Sequence, residues 1–408
     1  MKIYIISFLF FFQALLACGQ SQNANNNKEV SDLDQTEKNE LDTTAIISED
    51  ELNFLFLGDI MSHDLQIESA YNPKTGKYDF STEFEKIEPI IKDVDVTVGN
   101  LEVTLGGPPY KGYPQFSSPD QLAIDIKNAG IDYLVTSNNH INDRGIKGFD
   151  RTLHVLDSIG FKHTGTFRNI EEKVKRHPMV IEKKGWRIAL FNYTYGINGG
   201  SYNPKMLINE IDTALIRKDI MAAKKQNFDA IIIFFHWGIE YKRNSNAEQQ
   251  EIAKMCFENG ANVVIGAHPH VVQEMAKYRF KSKGGAEKDV FVAYSLGNYV
   301  ANYGSWRYSN GGALARFTLK KAADGEIKIE NQGYYLVWVY RKAKTAKLKT
   351  YYVLPVDIYE NDQTLGAEHT KLLRTFINDS RTHLKKYNTN VNEYLFNKKT
   401  NRWEVESN

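Results

Sequence analysis

The order of apolar and amphipathic stretches predicts an α/β protein, on three observations. Between residues 53 and 265 short apolar runs alternate with amphipathic stretches, several of which stop at a glycine: Gly130, Gly160 and Gly260. Glycine just past a last helical turn is a C-cap signal, so helix, stop and strand recur as one unit. The apolar runs are rich in β-branched and aromatic residues with little polar alternation, as strands covered on both faces require. Five of these runs end in carboxylate, amide or imidazole side chains, which suggests that several strand ends converge on one site.

The elements follow in order. Lys2 precedes an almost wholly apolar stretch, 3–16, containing Phe8, Phe10, Phe11 and Phe12. It is too short for a comfortable membrane span and reads as a signal segment, residues 1–17. It ends in Leu15-Leu16-Ala17-Cys18, which resembles a bacterial lipobox. The expectation is lipidation of Cys18 and an exported protein, lipid-anchored at the cell envelope, facing the periplasm or the outer surface. Residues 18–51 are dominated by Gln, Asn, Ser, Glu, Asp and Lys and lack aromatics, so they read as a disordered tether. Cys256 is the only other cysteine; it falls in a helical stretch and reads as a buried structural thiol.

The globular part begins with a strand at 53–58. Helix 84–92 and strand 94–98 follow, then helix 119–129, strand 133–136, helix 146–158 and strand 187–193. Helix 212–226, strand 229–235, helix 247–259 and strand 262–265 continue the alternation. Past about residue 285 the pattern changes: 290–294, 313–319, 326–335 and 349–355 read as strands with turns between them, and 364–386 as a charged outer helix. The expectation is a main domain at 52–305, with antiparallel strands at 306–408 completing a second sheet.

Lys+Arg 51 against Asp+Glu 50 leaves a net charge of +1. No field of one sign covers the molecule, so nucleic acid is not an expected partner. There is no Gly-x-Ser-x-Gly elbow, no P-loop, no dinucleotide fingerprint and no His-Glu-x-x-His. These absences exclude the corresponding hydrolase, nucleotide-binding and protease classes.

The polar strand ends carry the chemistry. Asp59 follows Gly58 directly after an apolar run, and His63, four residues on, shares its face if the chain stays extended. Asn100 and Glu102 are two apart and face one side. Asn138 and Asn139 offer neutral oxygens, and Asp143 is placed to orient His140 for holding or delivering a proton. His236 ends a buried run and reads either as a satisfied core residue or as a ligand, with Trp237 as a pocket wall and Glu240 as an outer partner. His268-Pro269-His270 is a period-two imidazole pair stiffened by proline, typical of metal chelation. Ser295 and Asn298 either line the pocket or form a structural turn. Asp, Glu, Asn and neutral His are the donor set of a hydrolytic divalent-metal site, often one with two ions.

These segments resemble the ordered motifs of a known family. They are Gly58-Asp59-Ile60-Met61, Asn100-Leu101-Glu102, Asn138-Asn139-His140 with Asp143, His236-Trp237-Gly238 with Glu240-Tyr241, residues 266–273, and residues 294–298. The family is CapA, associated with poly-γ-glutamate capsule synthesis and related to calcineurin-like metallophosphatases; the resemblance spans residues 52–302. It implies a four-layer α/β/β/α sandwich of metallophosphatase type. It also implies Asp59, Glu102, Asn139, His236, His268 and His270 as ligands of two divalent ions (Mn, Fe, Zn or Mg), with Glu102 where relatives place a bridging Asp. His140 matches the histidine that in those relatives assists the leaving group or binds substrate oxygen. The sequence departs from the pattern at His63, since relatives place Asp and His two residues apart. The implied function is a metal-dependent hydrolase of a phosphoester or γ-glutamyl polymer. The alternative is a non-hydrolytic component that binds, transfers or exports polymer. The implied partners are a polyanion such as poly-γ-glutamate, capsule synthesis or export membrane proteins, and the membrane itself through the lipid.

Overall fold

Strand β1 (Glu51–Ile60) is the axis of the first sheet. The computed structural model describes residues 50–199, 203–304 and 306–405; the signal segment, Cys18 and nearly all of the tether lie outside the described residues. After β1 come helix α1 (Asp64–Ala70), helix α2 (Glu88–Lys92), strand β2 (Val96–Leu101), helix α3 (Gln121–Asn128), strand β3 (Tyr133–Val135), helix α4 (Gly145–Ser158) and strand β4 (Lys162–Thr164). β1, β2, β3 and β4 pair in parallel. Their connections run through helices, as parallel pairing requires.

A second sheet then forms. Strands β5 (Met179–Lys183) and β6 (Trp186–Thr194) make a hairpin. Helix α5 (Thr213–Lys224), strand β7 (Ala230–His236), helix α6 (Ala247–Asn259), strand β8 (Val263–Ala267), strand β9 (Met275–Lys281) and strand β10 (Glu287–Ala293) follow, giving the order β9-β10-β8-β7-β6-β5. The chain returns to β1 with strand β11 (Asn298–Val300) and continues as β12 (Gly311–Lys321), β13 (Ile327–Ala343), β14 (Lys349–Pro355), helix α7 (Ala367–Tyr387), β15 (Asn392–Asn397) and β16 (Arg402–Val405).

The C-terminal strands correct the expectation of a second, antiparallel sheet. β10 joins the second sheet parallel to β8. β12 pairs antiparallel with β1, from Glu51↔Lys320 to Phe56↔Ala315, and β13 and β14 add beyond it. The physical reason is the open edge of β1. Phe317 fills it, with its ring centroid 5.3 Å from that of Phe54 and 5.8 Å from that of Phe56. Strand character is local, whereas the edge a strand joins depends on partners far away in sequence.

Side-chain alternation makes four layers. Leu52, Phe54 and Phe56 of β1 face Ile188, Leu190, Ile232 and Phe234 of the second sheet in one inner core. Leu55 and Leu57 point the other way, onto Ile90, Ile91, Leu122, Ile126 and Leu156 from helices α2, α3 and α4. Phe191, Ile231 and Ile233 cover Ile216, Ile220, Ile252 and Phe257 of α5 and α6. The expected α/β/β/α sandwich is therefore the fold. Of its largest buried rings, each contributing about 1.5–3 kcal/mol by burial, Phe54, Phe56, Trp186 and Trp338 lie in the inner core. α7 lays Leu373, Phe376, Ile377 and Leu384 against the same inner cluster, while its other face carries the charged residues.

Candidate metal centre

The carboxyl ends of β1, β2 and β3 in one sheet and of β7 and β8 in the other bring together residues far apart in the sequence. Strand ends of this kind are where open α/β sheets place their ligands. Asp59 pairs in register with Asn100 of β2 and Asn298 of β11, and the register against β2 shifts between Phe56 and Asp59. Such an irregularity re-aims a side chain at a sheet rim. Gly58 makes the close approach possible, because a β-carbon there would lie 2.0 Å from the carbonyl oxygen of Gly297.

Hydrogen bonds then set each group. Asn100 Nδ2 donates to Asp59 Oδ1 at 2.8 Å and lies 3.3 Å from His236 Nδ1. His236 Nε2 is 2.8 Å from Asn139 Oδ1 and 3.4 Å from Glu102 Oε1. His270 Nδ1 is shared between Asn298 Oδ1 at 3.0 Å and Asp59 Oδ2 at 3.2 Å, and its Nε2 lies 3.8 Å from Glu102 Oε1. Beside a third group with exposed Glu240, Glu240–His268–His270, two fully buried groups of donor atoms result, Asp59–Glu102–His270 and Glu102–His236–His268, each with its atoms within 4.8 Å of one another. Glu102 belongs to both.

Glu102 is fully buried, and neither of its oxygens has a hydrogen-bond partner. His268 Nδ1 and Asn100 Oδ1 are likewise buried without partners. Leaving such groups unmet costs about 1–3 kcal/mol each, more for charged ones. The cluster of orphaned donors fits a cation. Burial, then the charge of Asp59, holds the Glu102 carboxyl well above its usual range. Burial also raises Asp59, but the His270 hydrogen bond and charge outweigh it and leave Asp59 below the usual carboxylate range. Burial keeps His236 and His268 neutral, His268 down to about 3, which is the state in which imidazole binds metal.

The His268–His270 pair converges, but not by strand alternation. The chain turns through positive φ at both residues, 101° and 56°, with ring centroids 5.9 Å apart. Backbone in this region costs on the order of 1–3 kcal/mol and clusters at functional sites.

His140 stands beside the cluster, close enough to His236 and His268 for its ring to interact electrostatically with both. Its Nδ1 lies 2.8 Å from Asp143 Oδ2, which also accepts the Phe116 backbone N–H at 2.7 Å. Asn138 is a brace: it accepts the His140 backbone N–H at 3.1 Å and donates to Leu101 O at 2.7 Å.

Four of the predicted positions sit differently. His63 does not share a strand face with Asp59, because β1 ends at Ile60 and His63 caps α1. Its ring lies between those of Phe116 and Tyr303, at 5.3 and 5.4 Å, outside both donor groups. Trp237 faces away from the cluster: period two turns it from His236 to stack on Phe235 at 4.4 Å and donate to Tyr294 O. Glu240 is not a partner of His236. It is exposed, with a carboxylate oxygen within 4.8 Å of ring nitrogens of His268 and His270. Ser295 serves a turn, donating to Val271 O at 2.8 Å and accepting from Gly297 N. Sequence reading missed the aromatic rings around the cluster, Tyr195, Tyr241, Tyr303 and Trp306. They lie in loops without periodicity, and only the adjacency of Tyr241 to Glu240 pointed toward them.

Fold and site together define a class: a two-sheet α/β sandwich with a buried carboxylate–imidazole cluster where the strand ends of the two sheets meet. The chain belongs to the family described as bacterial capsule synthesis protein PGA_cap, whose model matches residues 53–303. This bears out the resemblance read from the motifs. It is 27% identical over 288 residues to the capsule biosynthesis protein CapA of Bacillus anthracis, 66% of this chain and 64% of that protein. It is 27% identical over 293 residues to the PGA biosynthesis protein CapA of Bacillus subtilis (strain 168), 69% of this chain and 71% of that one. The match thus spans just under two thirds of the Bacillus anthracis relative. Among solved structures, the Haemophilus influenzae NAD nucleotidase (NadN) overlaps 84% of this chain and 64% of its own, at 16% identity and a TM-score of 0.48.

Proposed function

We propose that this protein is a divalent-metal-dependent hydrolase of the metallophosphatase type. It acts on a phosphoester or γ-glutamyl linkage of a capsule polymer at the bacterial cell envelope. The observation that carries this reading is Glu102, a buried carboxylate with two unpartnered oxygens shared by two donor groups. Asp59, Glu102 and His270 would hold one ion, and Glu102, His236 and His268 a second, with Asn139 beside His236. Mn, Fe, Zn or Mg would supply Lewis acidity to the attacked centre.

The rest is the work of the chain's own residues. Asn100 and Asn298 orient Asp59 and His270 through hydrogen bonds of 2.8 and 3.0 Å. Asp143 grips Nδ1 of His140, leaving Nε2 to hold or deliver a proton at the leaving oxygen. The burial that keeps His236 and His268 neutral excludes bulk water from the donors. Lipidation of Cys18 would place this centre beside a membrane and next to capsule synthesis or export proteins, with poly-γ-glutamate or a similar polymer as partner. Among the described residues no helix is long and apolar enough to cross a membrane.

The test is to purify the protein without chelators and count transition metals by mass spectrometry, beside a His268→Ala/His270→Ala variant. The expected outcome is about one to two equivalents per chain, lost in the variant together with phosphoesterase or γ-glutamyl hydrolase activity. Absence of metal after reconstitution with Mn, Zn or Mg would overturn the hydrolase and leave a non-hydrolytic polymer-handling role.

A further inference from the structure

The metal cluster opens onto a rim of aromatic rings that the hydrolytic machinery does not use. On one side the Tyr195 ring lies 4.5 Å from that of His268 and is 46% exposed. On the other, Tyr303 lies 5.1 Å and Tyr241 6.1 Å from His270, and Trp306 stacks on Tyr241 at 4.4 Å with 53% of its surface exposed. Beyond His63, Phe116 lies 4.8 Å from His140, and Tyr113, 66% exposed, meets Phe116 at 6.5 Å. Tyr241 holds its place at a φ of 65°, a conformation that costs a residue bearing a β-carbon about 1–2 kcal/mol. Large rings left in water around a buried polar site mark a ligand surface rather than a packing one.

The geometry selects the kind of ligand. A nucleobase is commonly gripped between two facing rings. Here Tyr241 and Trp306 already touch each other at a tilt of 37°, and Tyr241 meets Tyr303 edge-on at 70°, so neither pair holds a slot as wide as a base. Each outer ring offers a single face. One-sided stacking suits a saturated pyranose, whose axial C–H bonds lie on the π face while its hydroxyls bond at the edge.

The charges agree. Exposed Glu240 lies against His268 and His270, where it can accept sugar hydroxyls and would repel a run of carboxylates. Two arginines of the same loops are engaged elsewhere, while Lys242, next to Tyr241, is exposed. Arg307 pairs with both oxygens of Asp379 at 2.6 and 2.7 Å, Arg243 donates to Asp379 O at 2.7 Å, and both guanidinium groups lie over Tyr308. The rim therefore presents aromatic faces and the Glu240 carboxylate, with Lys242 as the exposed cation beside Tyr241.

We infer that this rim binds a saccharide ring beside the scissile bond, so that the substrate is a sugar phosphoester and not a bare polycarboxylate. The chemistry rests on the hydrolase reading, but the binding does not. In the reaction, water adds its oxygen to phosphorus, the P–O bond to the sugar breaks, and the sugar oxygen departs with a proton.

Trp306 is the exposed one among the tryptophans and serves as the reporter. The full chain, metal-free and metal-loaded, is titrated with glucose 1-phosphate, N-acetylglucosamine 1-phosphate, AMP and poly-γ-glutamate while tryptophan fluorescence is followed. Hydrolysis of glucose 1-phosphate and of ring-free glycerol 2-phosphate is measured in parallel. The expected result is a saturable change with the sugar phosphates in the parent, and, by calorimetry, sugar-phosphate binding that is lost in Trp306→Ala and kept in Trp306→Tyr. The ratio of kcat/KM for glucose 1-phosphate over glycerol 2-phosphate should fall about tenfold or more in Trp306→Ala, the size of one lost stacking contact. Tighter binding of AMP or of poly-γ-glutamate, or an unchanged ratio in Trp306→Ala, would overturn the inference. A sugar-dependent fluorescence change with no hydrolysis of any phosphoester would strike down the hydrolase reading and leave the rim standing.

Discussion

Replacing Glu102 by glutamine keeps the shape of the side chain and removes the charge that both donor groups share. Without metal, burial and Asp59 already hold Glu102 toward its neutral form, so the metal-free variant should melt within a few degrees of the parent. Its metal content should fall by at least half. A Glu102→Gln protein that keeps a full metal complement would remove Glu102 from the bridging position. Asp143→Asn makes the complementary test. It leaves the donor groups intact and loosens only the grip on His140, so kcat should drop about 10²–10⁴-fold, the usual worth of a positioned acid or base, with metal content unchanged. Loss of metal in Asp143→Asn would mean that the loop, not the proton, was affected. At this scale much of the site was legible, because Asp59, Glu102, His236 and the His268–His270 pair each follow an apolar run. His63, Trp237 and Glu240 were not. Their side-chain directions depend on where β1 stops and on the turn after β7, which residue spacing does not record.

The elements around the site are held by contacts between short segments. At Gly58 in β1 a β-carbon would collide with the carbonyl of Gly297. Gly58→Ala should therefore cost about 1–3 kcal/mol in urea unfolding, as overpacking does, and should displace Asp59 enough to weaken metal binding. Unaltered stability would show that β1 and β11 can part freely. A second link ties α1 to the turn at Ser81–Glu83. Gln66 Nε2 donates to Glu83 Oε1 at 3.1 Å, while Glu83 Oε2 is buried without a partner. Burial pushes the Glu83 carboxyl up to about 8 from 4.5. Because the folded value is raised, the unfolded chain loses this proton first. The contribution of Glu83 is whole below about pH 4.5 and is lost as pH rises through 8. The slope across that window amounts to a loss on the order of 5 kcal/mol. Glu83→Gln should flatten it in urea melts at pH 5, 6, 7 and 8; parallel curves for parent and variant would refute the assignment. The alternation of helix and strand was readable here because glycine stops and apolar runs are local signals. The short helix at Glu88–Lys92, expected over 84–92, was not, because residues 84–87 form turns that continue from the 3₁₀ turn at Ser81–Glu83.

At the scale of the molecule, the family match ends at residue 303, but the sheet that carries Asp59 does not. β12 covers the edge of β1 from Glu51 to Phe56, and Phe317 packs on Phe54 and Phe56. A chain ending at residue 305 would expose that edge and open the inner core. It should fail to give a cooperative melt by circular dichroism or should aggregate, as unpaired edges do. A soluble, cooperatively folding 50–305 fragment would show that the matched region is an autonomous domain. By itself the sequence determined the element types, the class of fold and which polar side chains stand at strand ends, because strand burial, glycine caps and polar strand ends are written within windows of about ten residues. Only the tertiary structure decided that the last strands return to β1, that Glu102 is shared by two groups of histidines and carboxylates, and that an aromatic rim surrounds them. Those facts depend on which distant surfaces exclude water together, and that is settled by packing across the two sheets, not by the order of residues along either one.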